Sequence, residues 1–120
     1  MKNILVLDDE RSVTMLVQGI LSTHYYRSES VSCPHEAQER LRSRKFDLLI
    51  TDFLMPEIDG LQLCESIRQD TKMRALKLII LSGKEMTGAE RTRFAELDVL
   101  LLNKPFSSLS LKDSIDKVFT

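Results

Sequence analysis

At 120 residues and 13.8 kDa the chain has room for one domain, residues 1–120, whose core closes without disulfide or metal staples. Its 17 Lys and Arg against 18 Asp and Glu give a formal net charge of -1, which excludes a nucleic-acid or anionic-membrane surface driven by bulk charge. Cys33 and Cys64 are too few and too far apart for a zinc spacing or a disulfide framework, and no run approaches the roughly 18 apolar residues of a membrane span, so a soluble cytoplasmic protein is expected.

The first apolar run, ILVL, ends on Asp8 and Asp9. From Val13, apolar residues recur at Leu16, Val17, Ile20 and Leu21, the one-sided stripe of an amphipathic helix. A weaker strand near Ser28 to Val31 follows, with Tyr25 and Tyr26 packing at its start. Ser32 and Pro34 then read as N-cap and early-helix residues of a second helix with Ala37 and Leu41 inward. Arg40, Arg42, Arg44 and Lys45 read as a solvated basic face of that helix, and His24 and His35 as exposed. LLIT ends on Asp52, and after a turn through Pro56 and Gly60 comes a helix with Leu63, Cys64 and Ile67 inward and Asp59 as N-cap. Glu57 reads as a solvated loop charge. LIIL ends on Ser82, and Thr87 and Glu90 are spaced as a capping box for a helix with a thin apolar stripe of Ala89, Phe94 and Leu97. The last strand leads to Lys104, and the last helix turns Leu111, Ile115, Val118 and Phe119 inward.

Continuous apolar strands, each followed by a helix, predict an α/β fold: a doubly wound five-stranded parallel sheet, flavodoxin-like, in order 2-1-3-4-5, with helices on both faces. All strand ends then share one edge, and the first and third strands meet at the topological switch point, where such sheets bind ligands. Singly, each terminal residue has a plain explanation. An Asp at a strand end is often a cap, Lys-Pro a turn and Ser-Gly a loop start. Collected at one crevice, Asp8, Asp9 and Asp52 require compensation, because charges about 4 Å apart repel by roughly 4 kcal/mol at an effective dielectric near 20. Lys104 supplies one positive charge, and Mg²⁺, a hard cation suited to carboxylate oxygens, would cancel the remainder.

The segments LDDE, TDFLMPEIDG, LSG and NKPF resemble the signature set of the response-regulator receiver domain of two-component signalling, over essentially the whole chain. The resemblance implies that Asp52 is the phosphoacceptor, loaded by a histidine kinase or phosphotransfer protein. It implies Mg²⁺ held by Asp8, Asp9, Asp52 and the backbone carbonyl of Leu54. Ser82 and Lys104 would bind the phosphoryl oxygens, with a cis bond before Pro105 aiming Lys104 inward. Such a domain is no enzyme with a separate substrate, although it catalyses its own phosphotransfer and slow dephosphorylation.

Three departures from the family pattern bear on the switch. Leu101 stands where the family commonly has an aromatic relay residue. The run LDVLLL, without the family's glycine, makes an apolar edge strand, so the face of the fourth helix, fifth strand and fifth helix is expected to bind a second copy or an output partner. Leu54 and Lys84 stand where the family tunes hydrolysis of the acyl phosphate, Leu54 as a shield and Lys84 as an added cationic hold. A haloacid-dehalogenase-type hydrolase would want a second Asp at Leu54, and DDERS is no Gly-rich nucleotide loop. The remaining rival is a pseudo-receiver, an unphosphorylated protein-binding module. The chain ends just past the fifth helix, leaving open a stand-alone protein or the receiver piece of a longer one.

Overall fold

Alternation along the strands organises the whole molecule. In the computed structural model, which describes residues Met1–Thr120, β1 spans Asn3–Leu7, β2 Arg27–Val31, β3 Leu48–Asp52, β4 Lys77–Ser82 and β5 Val99–Asn103. They form one parallel sheet in the order β2-β1-β3-β4-β5, as the periodicity predicted. Successive strand side chains point to opposite faces. Leu5, Leu7, Leu49, Leu78, Ile80 and Val99 therefore enter one core cluster, while Ile4, Val6, Leu48, Ile50, Ile79 and Leu81 enter the other. The helices divide accordingly. α2 (Pro34–Ser43), α3 (Gly60–Gln69) and α4 (Gly88–Glu96) cover the first face, and α1 (Arg11–Thr23) and α5 (Ser108–Phe119) the second. None of these helices is long and apolar enough to cross a membrane.

Helix starts follow local chemistry. Asp59 accepts from the Gln62 N–H at 2.8 Å, and Thr87 from the Glu90 N–H at 3.1 Å, each closing a capping box. The cap of α2 differs from expectation: Cys33, not Ser32, is the N-cap, and no side chain caps the helix. Pro34 takes the first helical position and forces the residue before it into extended backbone, so the cap slot falls on a thiol.

Several predicted faces are also corrected. On α1 the buried residues are Thr14, Val17 and Leu21, while Leu16 lies on the outer flank, 55% exposed. Thr14 is tolerated inside because its hydroxyl donates to the Arg11 carbonyl at 3.0 Å. On α4, Ala89 is exposed and Phe94 alone anchors the helix, its ring edge-on to Phe53. Tyr25 projects into solvent from a left-handed backbone position, φ 65°, whereas Tyr26 packs against Phe119. His24 is half-buried, with Nε2 sealed off and unpartnered, while His35 is exposed beside Glu39. Three of the four residues of the basic run are ion-paired, and only Lys45 is a free, exposed cation. Arg40 reaches Glu29 and Glu36, Arg42 reaches Asp70, and Arg44, just past α2, reaches Glu29. Finally, β5 is an edge strand whose apolar run serves both cores. Leu101 packs into the first cluster and Leu100 and Leu102 into the second, all half-buried rather than exposed.

Candidate functional site

Parallel register brings the strand ends together. Leu7 pairs with Thr51, Asp52 with Leu81, and Ser82 with Asn103, so Asp8, Asp52, Ser82 and Lys104 emerge side by side at the switch-point edge. One carboxylate oxygen from each of Asp8, Asp9 and Asp52 lies within 4.8 Å of the others.

Each side chain is held differently. Asp8 is buried. Its Oδ1 accepts from the Glu10 N–H at 2.9 Å, while its Oδ2 is sealed from solvent without a hydrogen bond, 3.6 Å from the Lys104 ammonium. Burial pushes the Asp8 carboxyl above its ordinary range. The negative charges of Asp52 and Asp9 add to that shift, against the Glu10 N–H and Lys104. Asp9 is exposed. Asp52 is buried, and its Oδ1 accepts from the Phe53 N–H at 2.9 Å and from Lys104 Nζ at 3.1 Å. Its Oδ2 takes no hydrogen bond.

Lys104 is fixed from behind, since its N–H donates to the Ser82 carbonyl at 2.8 Å; the bond that follows it, Lys104–Pro105, is cis. The Ser82 hydroxyl is buried against the next loop, accepting from the Lys84 N–H at 2.9 Å and donating to the Lys84 carbonyl at 3.3 Å. Gly60 sets the height of the crevice floor. A Cβ there would stand 2.8 Å from Ile80 Cδ1, 3.0 Å from Phe53 Cα and 3.1 Å from the Asp52 carbonyl, so only glycine lets α3 start this close to β3.

The donor set fits a hard divalent cation. It consists wholly of oxygens, it carries more negative charge than Lys104 offsets, and one buried carboxylate oxygen has no partner of its own. The Leu54 carbonyl accepts no hydrogen bond from the protein, and its side chain is 62% exposed. Lys84 departs from expectation: its ammonium is turned to Glu90 on α4, 2.6 Å away, and lies over the Phe53 ring. Glu90 was legible in the sequence only as a capping residue. Its hold on Lys84 crosses from loop to helix and has no fixed sequence spacing.

A doubly wound sheet whose switch-point crevice gathers three carboxylates under one lysine is suited to a hard cation and a small anionic group, and no Gly-rich loop follows β1 to cradle a nucleotide. Residues 4–116 match the family model of the response regulator receiver domain, and the chain belongs to that family, the receiver component of two-component systems. It is 30% identical to the response regulator receiver protein CpdR of Brucella abortus, over 98% of this chain and 97% of that protein. It is also 30% identical to the alkaline phosphatase synthesis transcriptional regulatory protein PhoP of Bacillus subtilis, of which it spans only 43%. Among solved structures it resembles the response regulator TrrA of Thermotoga maritima, determined in complex with Mg²⁺ and BeF. The TM-score is 0.83 at 30% identity, covering 98% of this chain and 99% of that one.

Proposed function

We propose that residues 1–120 act as one receiver unit in which Asp52 takes a phosphoryl group from the phosphohistidine of a histidine kinase or phosphotransfer protein. The observation that carries this reading is the asymmetry of the Asp52 carboxylate. Oδ1 is clamped by the Phe53 N–H and Lys104, whereas Oδ2 takes no hydrogen bond in a side chain that is 10% exposed. A nucleophile held by one oxygen is oriented for in-line attack by the other. In the transfer the Oδ2–P bond forms as the P–N bond breaks, and the imidazole nitrogen keeps the bonding pair. Lys104, already at Asp52, meets the charge developing on the phosphoryl oxygens.

The carboxylates of Asp8, Asp9 and Asp52 and the Leu54 carbonyl would hold Mg²⁺, which when bound supplies the remaining positive charge against the phosphoryl oxygens. The domain is a phosphoacceptor that loads and slowly discharges itself, working in the cytoplasm. The exposed Leu54 side chain shields the acyl phosphate from water, and a Leu54→Asn variant is expected to lose the phosphoryl group faster.

Ser82 and Lys104 read the loaded state. An acyl phosphate offers acceptor oxygens, and to donate to them the Ser82 hydroxyl must turn its proton away from the Lys84 carbonyl, 3.3 Å away. That movement pulls the loop tied to α4 through Lys84 and Glu90. Leu101 has no ring to turn, so packing of α4 and β5 carries the signal to the face of α4, β5 and α5, where a second copy or an output partner docks. Incubation with acetyl phosphate and Mg²⁺, followed by intact mass measurement, tests the reading. The wild type should gain one phosphoryl group and Asp52→Asn none. A wild type that stays unmodified overturns it in favour of an unphosphorylated binding module.

A further inference from the structure

The amino ends of the strands form a second charged surface, at the opposite edge of the sheet from Asp52. A groove of about 750 Å³ runs there between the end of α2 and the segment joining α3 to β4. Six cations line it, Lys2, Arg42, Arg44, Lys45, Lys72 and Lys77, against one carboxylate, Asp47, which is itself occupied by the Asn3 N–H at 2.8 Å. In a chain of net charge -1 this is a marked segregation of positive charge.

The cations are not equivalent. Arg42 and Arg44 are spent on Asp70 and Glu29, whereas Lys45, Lys72 and Lys77 are exposed and make no ion pair. The apolar residues beneath them, Leu41, Phe46, Met73 and Leu76, are buried in the core, so the groove offers a ligand charge rather than apolar contact. No aromatic face is offered to a nucleobase. Phe46 is buried under the Arg44 guanidinium, and the Phe119 ring is covered by the Lys2 ammonium at 4.7 Å. Nucleic acid would therefore find charge without stacking, while a carboxylate-rich chain matches the lysine rim.

We propose that this groove docks an acidic peptide segment of a partner protein, its carboxylates on Lys45, Lys72 and Lys77. The surface is separate from the phosphoacceptor crevice, so it tethers a partner whether or not Asp52 is loaded. The test uses a short fluorescein-labelled peptide of Glu and Asp spaced by Ser, read by anisotropy and by backbone amide shifts. Binding should weaken as salt is added, shift the amides of residues 42–47 and 72–77, and fall roughly tenfold or more in the K45E/K72E double variant. Phosphorylation of Asp52 by acetyl phosphate, measured on the same variant, should be unchanged, which separates this proposal from the function of the crevice. Peptide binding that leaves those amides unmoved, or that survives the charge reversal, overturns the proposal. So does tighter binding of a single-stranded oligonucleotide than of the peptide.

Discussion

Neutralising Asp8 should make the metal-free protein more stable, although Asp8 belongs to the site. Charges within 4.8 Å, as in the acidic cluster, repel by about 3.5 kcal/mol per pair at an effective dielectric near 20. Lys104, at 3.6 Å from Asp8 Oδ2, returns about 4.6 kcal/mol on the same scale. Two repulsions against one attraction leave about 2 kcal/mol opposing the Asp8 charge, and the burial of an unpartnered oxygen adds to it. Asp9 is exposed and Lys104 partly so, which screens both terms, and a net gain of about 1–2 kcal/mol is expected for Asp8→Asn at neutral pH. The amide keeps an oxygen for the Glu10 N–H. The sign agrees with the raised Asp8 carboxyl. It ionises more readily in the unfolded chain, near 3.8, so its contribution to folding is complete below that pH and is lost as pH rises through the higher folded value. Thermal melts in chelated buffer should show Asp8→Asn melting about 3–8 °C above the wild type. Mg²⁺ should raise the wild-type midpoint and leave the variant's nearly unchanged. A variant that melts at or below the wild type in chelated neutral buffer refutes the reasoning.

Other outcomes are equally specific. Gly60→Ala puts a methyl against backbone and Ile80, and urea unfolding should show a loss of about 1–3 kcal/mol together with slower phosphorylation of the displaced Asp52. Arg44 and Arg40 hold the Glu29 carboxyl below its usual range, so the stability it contributes is present above pH 4.5 and lost as pH falls through the lower folded value. Acid titration of Glu29→Gln should accordingly show a shallower loss. Burial pushes the Cys64 thiol up to about 12, so a thiol-reactive dye should modify Cys33 alone in the native protein and both cysteines in urea. Glu90→Gln frees Lys84, and hydrogen exchange should quicken over residues 84–90 while the thermal midpoint stays nearly unchanged.

Where sequence reading and structure part, packing is the reason. Leu16 and Ala89 share the helical period of buried neighbours, yet each lies past the width of the face that its helix presents to the sheet. The cap of α2 moved because proline geometry outranked a good capping side chain one residue too early. The apolar run of β5 read as an exposed edge because one strand's sequence does not reveal that two cores claim its alternate faces.

Periodicity together with cap and proline signals determined the five strand and helix pairs, and the polar residues ending the strands determined which groups stand at the ligand edge. Those are local properties, decided by side-chain spacing along a chain whose strands are covered on both faces. Tertiary structure alone decided how the groups are used. It set which Asp52 oxygen is clamped, left Asp8 Oδ2 without a partner, turned Lys84 to Glu90, and gathered unpaired lysines at the far edge. Distances of 3 to 4 Å between residues far apart in sequence decide such electrostatics, and they exist only once parallel register has placed the strands side by side.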